Sequence, residues 1–560
     1  MKIGLTYVKG SVPGLENFGN LPTDLIKSNG LLNGNPISKE LDGLIIPGGS
    51  ILESKSISDD FKREIKIMAK EGKPIIGICA GYQLLSNQLD ITNPNHPNLN
   101  YTIENPNLNE DNLKNGSLNK DNLKEGLGLL DVNFSYLFSN DKVESKVSSK
   151  SYLTKGLETV KGFHCHSYGG ISGDGKTLFN SLLRVNYDSK FTDVVSGTIN
   201  DDGNVIGTMI HNILDDNPNV VSNFFEFIGA SEKDIVSIYD RNKILQYTMK
   251  NEVSIDANIQ IETSLYNIEN YSKNNNSSPS YSLYNIENPL LKFKKKQGDS
   301  PKVLMVTSTE SKSGKTFIMA GLAGVLMEKG LNVGVLKLGS NIKDILPALY
   351  LTKNNMENYS LIKNENEEEL DNVFGWNTIE EVIHKINKSN YDIVLIEGEK
   401  GIFDNLTNFN FYSTVEIALS SNIPILLISS AKYGLDYAIS DSLEHEKILY
   451  SLGINLEALI LNNIEEDDFN NYDNLISPLK KQFDNMDNIF KIPYINSTYG
   501  LDENKTPSDY ENRYDVYSPL AFNVVKDNVD FLKILSLAKE ISFNKFYSLE
   551  ELEFLNKFLS

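Results

Sequence analysis

The chain of 560 residues contains only two cysteines, and one of them stands between a strand pattern and a helix pattern. In "KPIIGICAGYQLL", a run rich in isoleucine ends at Cys79, and Ala80 and Gly81 lead into a helical pattern. A strand, a sharp turn of small residues and a helix form a nucleophile elbow, which exposes the nucleophile at the top of a sheet. The helix N-terminus stabilises a thiolate, and the N–H of Ala80 points to where an oxyanion forms. The stretch predicts that Cys79 is a catalytic nucleophile.

A thiol nucleophile needs a base, and "VIGTMIHNILDD" supplies a candidate. His211 directly follows an apolar strand pattern in this stretch. We therefore predict that His211 is the base; the alternative is a hydrogen-bonded core histidine. A second oxyanion donor is predicted at Gly49 or Ser50, because "PGGS" ends another strand pattern with a flexible turn.

Two further histidines flank the other cysteine. "GFHCHSYGG" contains His164 and His166 on either side of Cys165. This arrangement is compatible with zinc, but no paired ligand motif occurs elsewhere in the sequence. A zinc site is the weaker interpretation.

A phosphate-binding loop is indicated in the second half of the chain. "VTSTESKSGKTF" follows the strand pattern "KVLMV" and opens a helix pattern, so its N–H groups can surround anionic oxygens. Lys315 would reach the β- and γ-phosphates, and the Thr316 hydroxyl would bind Mg²⁺. The other predicted nucleotide-binding residues are Thr309, Ser313 and Gly314. The usual first glycine is replaced by Ser308 or Thr309, depending on the spacing, and the alternative is a helix N-cap with an unrelated lysine.

An acidic residue supports the phosphate-loop interpretation. In "YDIVLIEGEKGIFDN", a buried strand pattern ends at Glu397. A carboxylate at the carboxyl end of a central strand lies beside the loop in such sheets, where it can hold Mg²⁺ with Thr316. The alternative is an ordinary acid at a strand-to-loop junction.

The turn at Cys79 and the phosphate loop each need an α/β sheet to position them, and the pattern of the whole chain predicts such sheets. Apolar strand patterns alternate with helix patterns over residues 1–250 and again over residues 300–545, which predicts two α/β domains with mainly parallel sheets. Residues 92–125 are an Asn-rich insertion, and residues 251–299 are a low-complexity linker. Residues 546–560 are a C-terminal tail. Such a linker permits the domains to meet within one chain or across a homodimer.

Composition and charge narrow the class of protein. The formal net charge is −22, which argues against a nucleic-acid partner. The basic run "KFKKK" lies in the linker and is interpreted as solvated. No apolar run approaches the ~20 residues needed to span a bilayer, and the N-terminus lacks a signal-peptide pattern, so no membrane association is expected. Two distant cysteines make no disulfide framework, and a cytoplasmic location is expected.

In the first half, "IIPGG", "GICAGYQLL", "GLGLL", "GFHCH" and "GTMIHNILDD" resemble, in order, the amidotransferase motifs of the cobyrinic acid a,c-diamide synthase and cobyric acid synthase family. The resemblance implies a class I glutamine amidotransferase domain with Cys79 as nucleophile and His211 as base. The family's "GYEIH" element corresponds to residues 162–166, so His166 matches its histidine and His164 its glutamate position. Members generally lack the third acid of the triad, and none is predicted.

In the second half, "TSTESKSGKT", "VLKLGSNIKD", "IEGEKGIFDN" and "IPILLISSA" resemble the dethiobiotin-synthetase-like ATPase of the same family. The resemblance implies that ATP with Mg²⁺ phosphorylates a substrate carboxylate and that ammonia from L-glutamine converts it to a carboxamide. The implied substrate-side residues are Lys337, Asn341 and Asp344. The implied substrate is a tetrapyrrole polycarboxylate such as cobyrinate or nickel-sirohydrochlorin.

Three departures from the family keep other functions open. The domain order is reversed, the phosphate loop lacks its leading glycine, and Ser340 and Asn341 replace the Pro and Asp of the substrate motif. The first alternative is the same ligase chemistry on a non-tetrapyrrole carboxylate. Another is a ParA/MinD-like nucleotide switch fused to an inactive amidotransferase-like module. A plain glutaminase with a degenerate ATPase is the last.

Overall fold

A computed structural model describes most of the chain. The described residues are 1–92, 122–185, 191–251, 293–296, 298–337, 342–356, 378–404, 413–454, 456–470, 472, 488–496, 499, 501–502 and 505–545. Most of the predicted insertion and linker, all of the predicted tail and Asn341 lie outside these residues. No helix in the described part of the chain is long and apolar enough to cross a membrane.

The chain divides into two compact units, Met1–Met249 and Lys250–Ser560. The strands of the first unit are β1 Ile3–Thr6, β2 Asp24–Ile26, β3 Leu31–Leu32, β4 Asn35–Pro36, β5 Gly43–Ile46, β6 Ile75–Ile78, β7 Gln88–Asp90, β8 Leu123–Glu125, β9 Asn133–Ser135, β10 Lys142–Val147, β11 Thr159–Phe163, β12 Gly170–Ser172, β13 Lys176–Arg184, β14 Phe191–Ile199 and β15 Val205–Thr208. Its helices are α1 Ile37–Glu40, α2 Ile51–Ser54, α3 Asp59–Lys70, α4 Ala80–Leu85, α5 Pro218–Phe227 and α6 Glu232–Asn251.

The main sheet of the first unit has nine strands in the order β11-β10-β13-β14-β15-β6-β5-β1-β2. From β15 to β2 the neighbours are parallel, and strands β1, β5, β6 and β15 are buried at every position. This burial explains their continuous apolar patterns, because a parallel sheet is covered on both faces. β6 and β15 are neighbours in register, with Ile78 opposite Thr208, so Cys79 and Met209 leave the sheet at the same edge.

The remaining strands of this sheet are antiparallel. β14, β13, β10 and β11 extend it beyond β15. In Lys142–Val147, buried Val143 and Ser145 alternate with exposed or half-buried residues. A smaller sheet has the order β12-β9-β7-β8, and β3 pairs with β4.

The second unit has a six-stranded sheet in the order β17-β18-β16-β19-β20-β21, parallel throughout. Its strands are β16 Lys302–Ser308, β17 Val333–Lys337, β18 Ile393–Glu397, β19 Ile425–Ser430, β20 Leu456–Ile464 and β21 Ile489–Pro493. Its helices are α7 Lys315–Glu328, α8 Leu346–Thr352, α9 Ile379–Lys388, α10 Thr414–Ser421, α11 Leu435–Ser451, α12 Tyr514–Asn528 and α13 Phe531–Leu537. The two units confirm the predicted α/β class with mainly parallel sheets.

Strand order in the second unit brings the predicted site residues to one edge of the sheet. β16, which leads into the phosphate loop, lies between β18 and β19. Glu397 at the end of β18 is opposite Val306 of β16 and Lys337 of β17. Helix α7 follows the loop and is buried along nearly its whole length. Gly321 allows α12 to pack against it, since a Cβ there would lie 2.4 Å from the Ala521 carbonyl oxygen.

Candidate functional site

Cys79 occupies a strained turn between β6 and α4. Its φ of 52° and ψ of −107° are unusual for a residue with a side chain, and its N–H donates to the Thr208 carbonyl at 2.8 Å. The neighbouring small residues are required: a Cβ at Gly81 would lie 2.1 Å from the Ile46 carbonyl oxygen. Backbone strain of this kind persists where the surrounding structure enforces it, commonly at active sites. The geometry is that of the predicted nucleophile elbow.

His211 is next to Cys79 and contacts Phe163 through both its backbone and its ring. Its backbone exchanges hydrogen bonds with Phe163 (2.8 and 3.1 Å), and the Phe163 ring stacks on the imidazole with centroids 5.2 Å apart. A Cβ at Gly48 would lie 3.0 Å from Cε1 of His211 and 3.7 Å from Cβ of Cys79. The glycine therefore leaves the space in which the two side chains approach each other.

A carboxylate lies on the other side of the His211 ring. Nδ1 of His211 donates to Oε1 of Glu16 at 2.7 Å, and both side chains are almost completely buried. Nε2 is buried and has no hydrogen-bond partner of normal geometry among the described residues. Burial alone lowers the pKa of His211, but interaction with Cys79 and with Glu16 outweighs burial and raises the pKa from 6.5 to about 10. The thiol and the carboxylate therefore favour the imidazolium form of His211.

The predicted oxyanion donors are not equivalent. The Ser50 N–H donates to the Gly10 carbonyl at 2.8 Å, so the prediction that it serves an oxyanion is wrong for this conformation. Gly49 has a φ of 133°, and a Cβ there would lie 2.1 Å from the Gly10 carbonyl oxygen. Ala80 begins α4, so its N–H has no acceptor within the helix. Gly49 and Ala80 remain the candidate donors.

His164 and His166 form a buried chain behind this site. Nδ1 of His166 donates to the Leu137 carbonyl at 2.9 Å, so its Nε2 accepts from Nδ1 of His164 at 2.9 Å. Burial is the main cause that lowers the pKa of His164 well below 6.5 and that of His166 to about 4. Both rings are neutral, and they fix the loop whose Cys165 carbonyl oxygen lies 3.9 Å from Sγ of Cys79.

The phosphate loop turns sharply at Gly314 and is tied to the sheet by hydrogen bonds. Gly314 caps α7 with a φ of 91°, and a Cβ there would lie 2.4 Å from Nδ2 of Asn462. The Ser313 hydroxyl donates to the Glu310 carbonyl at 3.0 Å, and the Thr309 N–H donates to the Ile428 carbonyl at 3.0 Å. These bonds hold the loop across β16 and β19.

The lysine of this loop points inward. The Lys315 ammonium is 3.0 Å from the Ser308 hydroxyl and also donates to the Lys400 carbonyl. Burial and then the charge of Lys337 lower the pKa of Lys315 to about 8. The ammonium thus lies inside the loop, where phosphate oxygens would bind.

Glu397 is the centre of a buried charge cluster. Its Oε1 accepts from the Thr316 hydroxyl at 2.9 Å and lies 3.3 Å from Nζ of Lys337, which is 3.2 Å from Oδ2 of Asp344. Burial raises the pKa of Glu397, while the charge of Lys337 opposes this shift. The structure brings together Lys315, Thr316, Lys337, Asp344 and Glu397.

These residues fit a magnesium ion. Oε2 of Glu397 is buried and has no hydrogen-bond partner among the described residues, and the Thr316 hydroxyl is beside the same carboxylate. Mg²⁺ is commonly held by one or two protein oxygens together with phosphates and water. No group of three or more His, Cys, Asp or Glu side chains in the described part of the chain could hold a metal, His164 and His166 included.

Comparisons with known proteins match a domain in each unit. Residues 28–219 match the CobB/CobQ-like glutamine amidotransferase domain, and residues 302–496 match the AAA domain. The first unit is a CobB/CobQ-like glutamine amidotransferase domain. The second is a P-loop domain of the AAA type.

Curated relatives align with the amidotransferase domain. A cobyric acid synthase of Clostridium botulinum (strain Kyoto) is 31% identical over 36% of this chain and 37% of its own length. A cobyric acid synthase of Alkaliphilus metalliredigens is 34% identical over 31% of this chain and 32% of its own length. A cobyrinate a,c-diamide synthase of Caldanaerobacter subterraneus is 31% identical over 29% of this chain and 33% of its own length. The chain spans about a third of the length of these relatives.

The amidotransferase domain contains one contact that no sequence pattern indicated. The resemblance implied no third acid, yet Glu16 bonds to His211 from 195 positions away. Glu16 lies in "GSVPGLENFGN", which reads as an ordinary turn-rich loop. Only the packing of that loop against the loop after β15 brings the two residues together.

Proposed function

We propose that this protein is a glutamine-hydrolysing, ATP-dependent amide ligase. The observation that carries the proposal is the position of His211, between a buried carboxylate and the thiol of a nucleophile elbow. A P-loop domain in the same chain supplies the second requirement, a site for ATP. Cys79 must stay a free thiol for this chemistry, which supports a cytoplasmic location.

The amidotransferase domain releases ammonia in two steps. The thiol proton passes to His211, and the thiolate of Cys79 attacks the side-chain amide carbon of glutamine. The N–H groups of Gly49 and Ala80 bind the oxyanion that forms. When the C–N bond breaks, ammonia leaves with the proton of His211, and a thioester remains. Water then attacks the thioester, with His211 as base, and glutamate is released.

The P-loop domain activates the acceptor. The γ-phosphoryl group of ATP passes to a substrate carboxylate, which gives an acyl phosphate and ADP. Ammonia displaces phosphate from the acyl phosphate, and a carboxamide results. Lys315 would bind phosphate oxygens of the nucleotide, and Lys337 would neutralise charge beside Glu397. Mg²⁺, held by Thr316 and Glu397, would offset phosphate charge when bound.

A tetrapyrrole polycarboxylate is the proposed acceptor. Relatives named cobyric acid synthase and cobyrinate a,c-diamide synthase support this choice. Ser340 and Asn341 depart from the substrate motif of that family, which favours another carboxylate acceptor as the second candidate. Lys337 and Asp344 are the proposed substrate-side residues.

The test is glutamate release by the purified full-length protein and by Cys79→Ala, with and without Mg-ATP and cobyrinate. We expect the wild type to release glutamate, and we expect ATP with the correct acceptor to stimulate release. Cys79→Ala should lose at least about 10³-fold, because no other group on the elbow can form the thioester.

A matched control uses the second cysteine. A glutamine analogue with an electrophilic ketone should label Cys79 in the wild type and in Cys165→Ala, and should label nothing in Cys79→Ala. ATP hydrolysis by a wild-type protein that releases no glutamate would overturn the ligase and favour the nucleotide switch.

A further inference from the structure

The loop that precedes β2 and the loop that follows β15 are joined by hydrogen bonds in which a carboxylate of each loop accepts from the other loop. Glu16 of the first loop accepts from Nδ1 of His211 at 2.7 Å and from the Asn212 N–H at 2.9 Å. Asp215 of the second loop accepts from the N–H groups of Asn17 at 2.8 Å and Gly19 at 2.6 Å. Each loop thus supplies a carboxylate that accepts hydrogen bonds from backbone N–H groups of the other loop.

Both loops have conformations that need this support. Phe18, Gly19 and Asn20 are consecutive residues with φ values of 53°, 62° and 56°, and Asn212 has a φ of 58°. Left-handed conformations are unfavourable for residues with a Cβ, so they persist only where tertiary contacts enforce them. The first loop is also tightly packed: a Cβ at Gly19 would lie 2.5 Å from Cγ2 of Val221.

The charge arrangement also points to a role for Glu16. A buried carboxylate is strongly unfavourable unless it is paired and hydrogen-bonded. The Glu16 side chain is completely buried, and both of its oxygens accept hydrogen bonds. Among the described residues, the cationic partner that they contact is His211. Burial, and then the nearby charge of Glu16, raise the pKa of Asp215 to about 6. An ionised Asp215 beside Glu16 therefore lowers stability at neutral pH, as is common at functional sites.

We propose that Glu16 completes a Cys79–His211–Glu16 triad as the positioning residue of His211, and that Asp215 holds the loop that presents Glu16. The inference rests on the proposed glutaminase function. Glu16 fixes Nδ1 of His211 as a donor, so Nε2 faces Cys79. It also stabilises the imidazolium that forms when the thiol proton is transferred. The acid comes from the first loop of the domain, 195 positions before the histidine.

The experiment compares full-length wild type with Glu16→Gln and with Glu64→Gln. Glu64 is a matched control: its carboxylate is also buried and accepts a backbone N–H, that of Ser38 at 3.2 Å, but it does not contact His211. We expect Glu16→Gln to lower kcat for glutamine hydrolysis by on the order of 10²–10⁴-fold with little change in KM. Glu64→Gln should stay within about twofold.

A second measurement is independent of activity. The chain has six histidines, so ring resonances can be assigned by comparison with a His211→Asn variant. The pKa of His211 should be about 10 in the wild type and should fall toward 6.5 in Glu16→Gln. Glu16→Asp keeps the charge with a shorter reach and should give intermediate values of both kcat and the pKa, which preserves the test if Glu16→Gln does not fold.

The outcomes separate the two proposals. A wild type that releases no glutamate overturns the proposed function, while the histidine titration still decides whether Glu16 controls His211. An active wild type with an unchanged His211 pKa and kcat within about threefold in Glu16→Gln overturns the triad. Asp215→Asn should lower kcat by about tenfold, since the two N–H groups bond to different carboxylate oxygens and the amide NH₂ that replaces one of them cannot accept. Wild-type kcat in that variant would overturn the role of Asp215.

Discussion

His164 and His166 are buried beside the amidotransferase site but remain uncharged. Each ring has its tautomer set by the next acceptor in the chain, which ends at the Leu137 carbonyl. His164 also lies 3.5 Å from the Ser181 hydroxyl through Nε2. Because the loop between them faces Sγ of Cys79, the protonation of this pair would disturb the nucleophile. The two rings must therefore stay neutral for the loop to keep its position beside Cys79.

This pair should make the stability of the amidotransferase domain depend on acid pH. The pKa of His166 is about 4 in the folded protein and near 6.5 in the unfolded chain, so the unfolded chain binds more protons between these values. Stability should be fully present above pH 6.5 and fall toward pH 4, by on the order of 3 kcal/mol for His166 alone. Thermal unfolding between pH 4 and 8 measures the loss.

Ring titration identifies the groups responsible for that loss. In the folded protein, His164 and His166 should remain neutral at pH 6, whereas in a urea-unfolded control all six histidines should titrate together near 6.5. A folded His166 that titrates near 6.5 would contradict the assignment of the acid limb to this pair.

Residue types predicted the turn at Cys79 and the candidate His211, because both follow apolar strand patterns at their carboxyl ends. Glu16 was not predictable, since its contact with His211 depends on how two loops pack. The direction of the Ser50 N–H was not predictable either. It depends on the φ of 133° at Gly49, which no pattern of side chains encodes.

At the scale of elements, the phosphate loop depends on a close contact between Gly314 and β20. Gly314 has a positive φ, and Asn462 of β20 donates to the Ser313 carbonyl at 2.9 Å directly beside it. Strand β20 therefore contacts one side of the phosphate loop. The glycine permits both the turn and the approach of the amide.

Replacing Gly314 by alanine should disrupt nucleotide binding. The added Cβ would lie 2.4 Å from Nδ2 of Asn462 and would strain a left-handed residue. We expect the affinity for ATP to be about 5- to 150-fold weaker, as strain of 1–3 kcal/mol implies. Gly453→Ala is the control, because Gly453 also has a positive φ of 78° but has open space around it. Equal ATP affinities in the two variants, measured by calorimetry, would argue against this role of the contact.

Strand patterns predicted the parallel strands but gave little sign of the antiparallel half of the first sheet. Strands such as Ile75–Ile78 are buried on both faces and read as apolar runs. By contrast, Lys142–Val147 and Lys176–Arg184 have exposed residues between buried ones, so their sequences are mixed. A half-exposed strand is difficult to distinguish from a loop in a chain rich in polar residues.

For the whole molecule, each unit has its own core and its own reactive groups. The thiol, His211 and Glu16 all belong to the first unit, and Lys315, Thr316 and Glu397 all belong to the second. In the proposed ligase, the reaction of the first unit is linked to that of the second only by the ammonia that the first produces and the second consumes. A substitution that abolishes glutamine hydrolysis should therefore leave activation of the acceptor by ATP intact.

This separation gives a test of the complete reaction. Cys79→Ala should fail to form amide from glutamine but should form it from ammonium salts with ATP, because the acceptor is still activated in the second unit. Lys315→Ala should fail with either nitrogen source, since the loop loses the ammonium that would bind phosphate oxygens. Product amide is measured by mass spectrometry with cobyrinate as acceptor. If Cys79→Ala formed no amide even at high ammonium while the wild type did, Cys79 would be needed for more than ammonia release, and the division of labour between the units would have to be abandoned.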